Sequence, residues 1–139
     1  MLGMLEGNGA VTLILVSHSP EIASGLAEMA GQIAGPAVPI VAVGGAVDGS
    51  LGTDGGRVLD ALRAAANSAG AVVLVDLGSS VLSVRAALNE LTPAELEHLS
   101  VADAPLVEGA VAAAVAASTG CGHAEAARAA EEARTVAKL

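Results

Sequence analysis

Residues 12–16, 38–43 and 71–75 are short, nearly unbroken apolar runs. A strand with one wet face alternates polar and apolar positions, whereas a continuous run marks a strand buried on both faces of a parallel sheet. Residues 99–102 read as a fourth, shorter strand. Between the runs the apolar spacing turns helical. Ile22, Leu26, Met29 and Ile33 mark one face, with Ser19 placed as N-cap and Pro20 at the first helical position. Val58, Leu62 and Ala65 mark a second helix opening near Thr53 and Asp54, and Val81, Val84, Leu88 and Leu91 a third opening at Ser79 or Ser80. Thr92, Pro93 and Glu95 form a capping-box signature for a short helix. Asp103 and Pro105 open an Ala/Val helix that Gly120 and Gly122 end, and residues 123–138 predict a last helix with Glu125/Arg128 and Glu131/Arg134 pairs.

Strand and helix in alternation predict an α/β, doubly wound, mainly parallel four-stranded sheet with helices on both faces. Right-handed crossovers favour the strand order 2-1-3-4, and ligands in such sheets sit beyond the carboxyl ends of the strands, where the first and third are neighbours. Residues 1–10 read as a flexible N-terminal extension and 11–139 as one domain.

Composition narrows the chemistry. Apolar residues make up 53% of the chain, yet Phe, Tyr and Trp are absent, so no aromatic platform exists on which bases stack. Six Lys+Arg stand against fifteen Asp+Glu, a net charge of −9, which opposes binding to a nucleic-acid polyanion. No apolar run approaches the roughly 20 residues of a spanning helix, so no membrane insertion is expected. A lone cysteine, Cys121, and the lack of a cationic, cleavable leader make the reducing cytoplasm the expected location.

The polar residues gather where the strands end. His18 follows the first strand in "LILVSHSP", Gly44 and Gly45 the second, Asp76 the third in "DLGSS", and Asp103 the fourth. With the first and third strands adjacent, His18 and Asp76 come within hydrogen-bond reach. An Asp that accepts from Nδ1 leaves the Nε2 lone pair free to act as base, ligand or nucleophile. Ser17, Ser19, Thr53, Gly78, Ser79 and Ser80 are small, and several fall at helix N-termini, where free N–H groups favour an anion. The nearest cation in sequence is Arg57, so a phosphate here is expected to rest mostly on backbone and hydroxyl donors. Each feature also has a plain structural meaning, as an edge histidine, a capping aspartate or turn chemistry.

Other signatures fail. "GNGA" precedes a strand and lacks a third glycine, no Gly-Lys-Ser/Thr occurs, and no Gly-x-Ser-x-Gly elbow is present. Cys121 and His123 have no partner pair at zinc-site spacing, so no metal is expected, and His98 reads as a solvated residue.

"LVSHSPEIASGLAEMAGQI", "VGGAVDGSLGTDGGRVLDAL", "VVLVDLGSSVLSVRAAL" and "APLVEGAVAAAVAAS", in this order, resemble the DhaM family, the phosphotransfer subunits of phosphoenolpyruvate-dependent dihydroxyacetone kinases, related to mannose-type IIA domains of the sugar phosphotransferase system. The resemblance covers residues 11–118. It implies that the carrier protein HPr, charged through enzyme I, phosphorylates His18, and that His18 passes the phosphoryl group to ADP held on the kinase's nucleotide-binding subunit. It also implies a homodimer with no tightly bound cofactor of its own, because ADP/ATP resides on the partner. Asp76 matches the acidic residue that supports the histidine. Ser19, Gly45, Thr53, Gly78 and Ser79 fall in segments that line the phosphoryl site. Where relatives often carry two adjacent acidic residues after the double glycine, this chain has Val47 and Asp48. The HPr-like and enzyme I-like domains fused to some relatives are expected here to be separate proteins. Two other readings stay open: a IIA domain feeding a sugar-specific IIB domain, and a non-catalytic anion-sensing module of the same fold.

Overall fold

A run that is apolar at every position needs cover on both faces, and the helices supply it for the first and third runs. The second, expected to be buried on both faces, lies at the sheet edge with Val41 exposed. The computed structural model describes residues 9–139, so residues 1–8 of the expected N-terminal extension lie outside the described part of the chain. Its strands are β1 (Thr12–Ser17), β2 (Ile40–Gly44), β3 (Ala71–Val75) and β4 (Leu99–Val101). They form an all-parallel sheet in the order β2-β1-β3-β4, as the apolar pattern predicts.

The helices are α1 (Pro20–Ala34), α2 (Gly55–Ala66), α3 (Gly78–Leu88), α4 (Pro93–Leu96), α5 (Leu106–Ser118) and α6 (His123–Glu132). Successive side chains of a strand point to opposite faces, so each strand feeds two cores. Leu13, Leu15, Val72 and Leu74 meet Leu26 and Ala30 of α1, Ala113 of α5 and Ala130 of α6. On the other face Ile14, Val16 and Val73 meet Val58 and Leu62 of α2 and Val84 of α3. Each fully buried Leu, Ile or Val contributes roughly 1.5–3 kcal/mol relative to an exposed one. Within this frame the carboxyl ends of β1 and β3 lie side by side and their positions are set by the sheet register, Val16 opposite Val75.

Several expectations are corrected. Strand β2 begins at Ile40, not at residue 38, because Pro39 has no N–H to give to a ladder; its carbonyl accepts from Leu13 instead. Helix α1 turns a different face inward: Ala23, Leu26 and Ala30 are buried, while Ile22, Met29 and Ile33 are exposed. Small residues on the inner face let the helix lie close to the sheet. The last helix stops at Glu132 and passes into a 3-10 turn, Ala133–Thr135. Neither expected ion pair of that helix is found among the described residues. Arg134 pairs with Asp103 at 2.7 Å and Glu131 accepts the Asp103 amide at 3.0 Å, so Asp103, which lines a cleft with Asp76 and Gly78 at the carboxyl edge, is also tied to the end of α6.

Other local signals match the chain's behaviour. Ser19 caps α1 by accepting the Ile22 N–H, with Pro20 in the first turn. Thr92 and Glu95 close the capping box of α4. Asp54, next to Thr53, caps α2 by accepting the Arg57 N–H. Helix α3 opens slightly earlier than expected, at Gly78, with Leu77 as its uncapped N-cap residue.

Candidate functional site

The turn between β1 and α1 is two residues long, His18 and Ser19. Ser17 ends the strand, so His18 stands at the step where the chain leaves the sheet. The β1–β3 ladder continues one residue past β3, with the Asp76 N–H donating to the Val16 carbonyl at 3.1 Å. That bond fixes Asp76 beside Ser17 and His18.

Asp76 is surrounded by donors. Its Oδ2 accepts the Ser17 hydroxyl and the His18 amide, each at 2.9 Å. Its Oδ1 accepts the His18 ring Nδ1–H at 2.9 Å, the Leu77 amide at 2.7 Å and the Ser80 hydroxyl at 3.0 Å. Burial at the sheet edge raises the Asp76 pKa, but the hydrogen bonds from the His18 amide, the His18 ring, Ser17 and the Leu77 amide outweigh it. They hold the carboxyl at about 2, against an ordinary 3.8. Asp76 is therefore ionised at neutral pH and can only accept.

This settles the tautomer of neutral His18. Nδ1 must carry the proton that Asp76 accepts, which leaves the lone pair on Nε2. The partner of Nε2 is the Ser79 hydroxyl, which donates to that lone pair. Ser79 is exposed in the first turn of α3, where the Gly78 and Ser79 amides have no intrahelical partner. Helix α3 thus brings two free N–H groups, one hydroxyl and its positive end beside His18 Nε2.

The loop after β2 closes the other side. Gly52 N–H donates to the His18 carbonyl at 3.0 Å, and Gly45 N–H to the Ser17 carbonyl at 3.2 Å. A Cβ on Gly44 would lie 2.6 Å from the Pro20 Cα and the Ser19 carbonyl oxygen, and one on Gly45 2.6 Å from the Pro20 Cγ. The double glycine therefore lets the loop lie directly against the start of α1. Val47 at the loop tip is exposed, and Asp48 accepts from its own turn through Ser50.

The structure gathers His18, Asp76, Gly78 and Ser79 at one edge. Ser19 lies alongside, its Oγ accepting the Ile22 N–H of α1 at 3.3 Å. Gly45 supplies space, its amide being committed to Ser17, and Thr53 reaches the cluster through a 3.4 Å contact with Ser80. Ser17 and Ser80, grouped by sequence with the donors for an anion, are fully buried and turned to Asp76 instead. Their burial was the signal that residue type alone did not carry. The Arg57 guanidinium is turned onto the Gly44 and Ala42 carbonyls of β2. His98 is exposed in the turn before β4, and His123 bonds Ser100 at 2.7 Å, both away from the site. Among the described residues no group of three or more His, Cys, Asp or Glu side chains is placed to hold a metal ion.

Such an edge can do nucleophilic chemistry on an anion. The lone pair on Nε2 faces the exposed Ser79 hydroxyl, and its ring is held from behind by a carboxylate that stabilises positive charge. Comparison with known proteins gives the same region of the chain a family. Residues 12–127 match the EIIA-man family model, described as the PTS system fructose IIA component. The phosphoryl donor subunit DhaM of a PEP-dependent dihydroxyacetone kinase 2 from Listeria innocua is 42% identical over 105 residues, 76% of this chain and 84% of that protein. The Escherichia coli K12 protein named as the phosphoryl donor subunit DhaM of a PEP-dependent dihydroxyacetone kinase is 34% identical over 113 residues, 79% of this chain but 24% of that longer protein. The crystal structure of a protein of unknown function, EF1359, superposes with a TM-score of 0.77 at 36% identity, covering 86% of this chain and 92% of that one. On the family match, the shared fold and these identities, the chain belongs to the EIIA-man family, on its DhaM branch.

Proposed function

We propose that the protein is the phosphohistidine carrier of a dihydroxyacetone kinase, taking a phosphoryl group from phospho-HPr onto His18 Nε2 and delivering it to ADP on the kinase's nucleotide-binding subunit. The observation that carries this reading is the Asp76–His18 bond, which leaves the Nε2 lone pair pointing at Ser79 and the start of α3. In the first step that lone pair attacks phosphorus as the bond to the donor's nitrogen breaks, and the electron pair stays with the donor. The proton on Nδ1 remains, so the ring gains positive charge that the Asp76 carboxylate offsets. Ser79 and the free amides of Gly78 and Ser79 receive the phosphoryl oxygens. In the second step a β-phosphate oxygen of ADP attacks phosphorus, and the Nε2–P electron pair returns to the ring.

The names of the Listeria and Escherichia coli relatives support the kinase as acceptor. The chain spans about a quarter of the Escherichia coli protein's length. Under this proposal no cofactor is tightly bound, ADP and ATP staying with the partner, and the carrier works as a homodimer in the cytoplasm. No helix among the described residues is long and apolar enough to cross a membrane. Light scattering tests the dimer through a mass twice that of one chain. A second reading, suggested by the family's description as a fructose IIA component, is transfer to a IIB domain of a sugar transporter.

The test charges the protein with phosphoenolpyruvate, enzyme I and HPr, then adds either the ADP-loaded kinase subunit or a IIB domain. Discharge by the kinase subunit with formation of ATP is the expected result. Discharge by the IIB domain alone replaces the kinase with a sugar transporter, and failure to charge at all leaves an anion-sensing module.

A further inference from the structure

Ser17 and Ser80 are the only buried polar side chains among the described residues, and both are completely buried. They sit on opposite sides of one carboxylate. Ser17, the last residue of β1, donates to Asp76 Oδ2, and Ser80, in the first turn of α3, donates to Oδ1. Ser80 Oγ also lies 3.2 Å from His18 Nδ1 and 3.4 Å from the Thr53 hydroxyl. Neither hydroxyl reaches solvent, so neither is available to a ligand.

A carboxylate turns easily about its last torsion, whose preference is broad and two-fold. The bond from Nδ1 keeps its geometry only while the carboxylate plane is held. The His18 and Leu77 amides hold one point on each oxygen, but both come from segments adjoining the groups they position. The serines add one anchor from the sheet and one from the packed start of α3. Both hydroxyls are completely buried, so removing one leaves its side of the carboxylate cut off from bulk solvent.

We infer that Ser17 and Ser80 are positioning residues for His18: they lock the Asp76 carboxylate plane and thereby keep the imidazole proton on Nδ1 and the lone pair on Nε2. This rests on the carrier reading for its purpose but is measured without it. Thr53, joined to Ser80 and bridged to Gly45, ties the loop after β2 to the same lock.

The test is long-range proton–nitrogen NMR of His18 in 15N-labelled, unphosphorylated protein, comparing the parent with Ser17→Ala, Ser80→Ala and the double variant. The parent should show a single Nδ1–H tautomer, and the double variant a mixture with the Nε2–H form. Phosphoryl transfer from HPr should slow about tenfold with an unchanged KM for HPr, the size seen when a supporting group behind a reactive side chain is lost. A pure Nδ1–H tautomer in the double variant overturns the inference, because the backbone amides would then suffice. If the double variant does not fold, Ser80→Cys keeps the size with a much weaker donor and should show the same mixture. A tautomer shift in a protein that HPr never charges would leave the lock standing and remove the carrier; a charged protein with no shift would do the reverse.

Discussion

His18 Nδ1 lies 2.9 Å from Asp76 Oδ1, although 58 positions separate the two residues in the chain. Each stands one residue past the carboxyl end of its own strand, and the parallel β1–β3 register makes them neighbours. Asp76→Asn removes the charge that faces the ring while keeping the side chain's shape. The variant should fold and transfer phosphoryl groups roughly 10- to 100-fold more slowly. Quench-flow of a single turnover with phospho-HPr measures this; an unchanged rate would take Asp76 out of the chemistry.

The sheet and this pair were legible from the sequence because both rest on coarse properties. Continuous apolar runs mark strands, and the strand order follows from right-handed crossovers, which bring the residues after the first and third strands together. Finer outcomes depended on packing. Ile22, Met29 and Ile33 outweigh Ala23 and Ala30 in hydropathy, yet the alanines face the sheet, where a Cβ on Gly44 would already be 3.0 Å from that of Ala23. Ser17 and Ser80 look like any small polar residues until their complete burial assigns them to Asp76. Arg134 meets Asp103 across 31 positions, which helical spacing cannot foresee.

Acid should weaken the fold through Asp76. Its pKa falls from 3.8 to about 2 on folding, so between those values the folded state holds fewer protons than the unfolded chain. The stabilisation is complete above about pH 4 and is lost as the pH falls towards 2; with solvent screening at the sheet edge it is on the order of 1 kcal/mol. Urea unfolding at pH 5, 3 and 2 should show the gap between parent and Asp76→Asn shrinking with acid. A gap that stays constant would contradict the low pKa.

Gly45→Ala should destabilise the protein by about 1–3 kcal/mol. Gly45 has φ of +83°, and the new methyl would lie 2.6 Å from the Pro20 Cγ. Gly49, also at positive φ (+86°) but with open space around it, offers the comparison. Gly49→Ala should cost only the backbone penalty, about 1–2 kcal/mol, and leave phosphoryl transfer intact. Equal transfer rates in both variants would mean that the loop's contact with Pro20 does not matter to the site.

Ser79→Ala should leave stability unchanged, since the residue is exposed. It should slow transfer about three- to tenfold, the equivalent of one net hydrogen bond to the phosphoryl group. Faster transfer in this variant would show instead that the hydroxyl's bond to Nε2 obstructs the incoming phosphorus.

The most direct measurement is phosphorus–nitrogen NMR of the protein charged from phosphoenolpyruvate through enzyme I and HPr, with its histidines labelled with 15N. One phosphoryl group coupled to Nε2 of His18, absent in His18→Ala, is the predicted result. Phosphorus on Nδ1, on His98 or on His123, or no phosphohistidine at all, would contradict it.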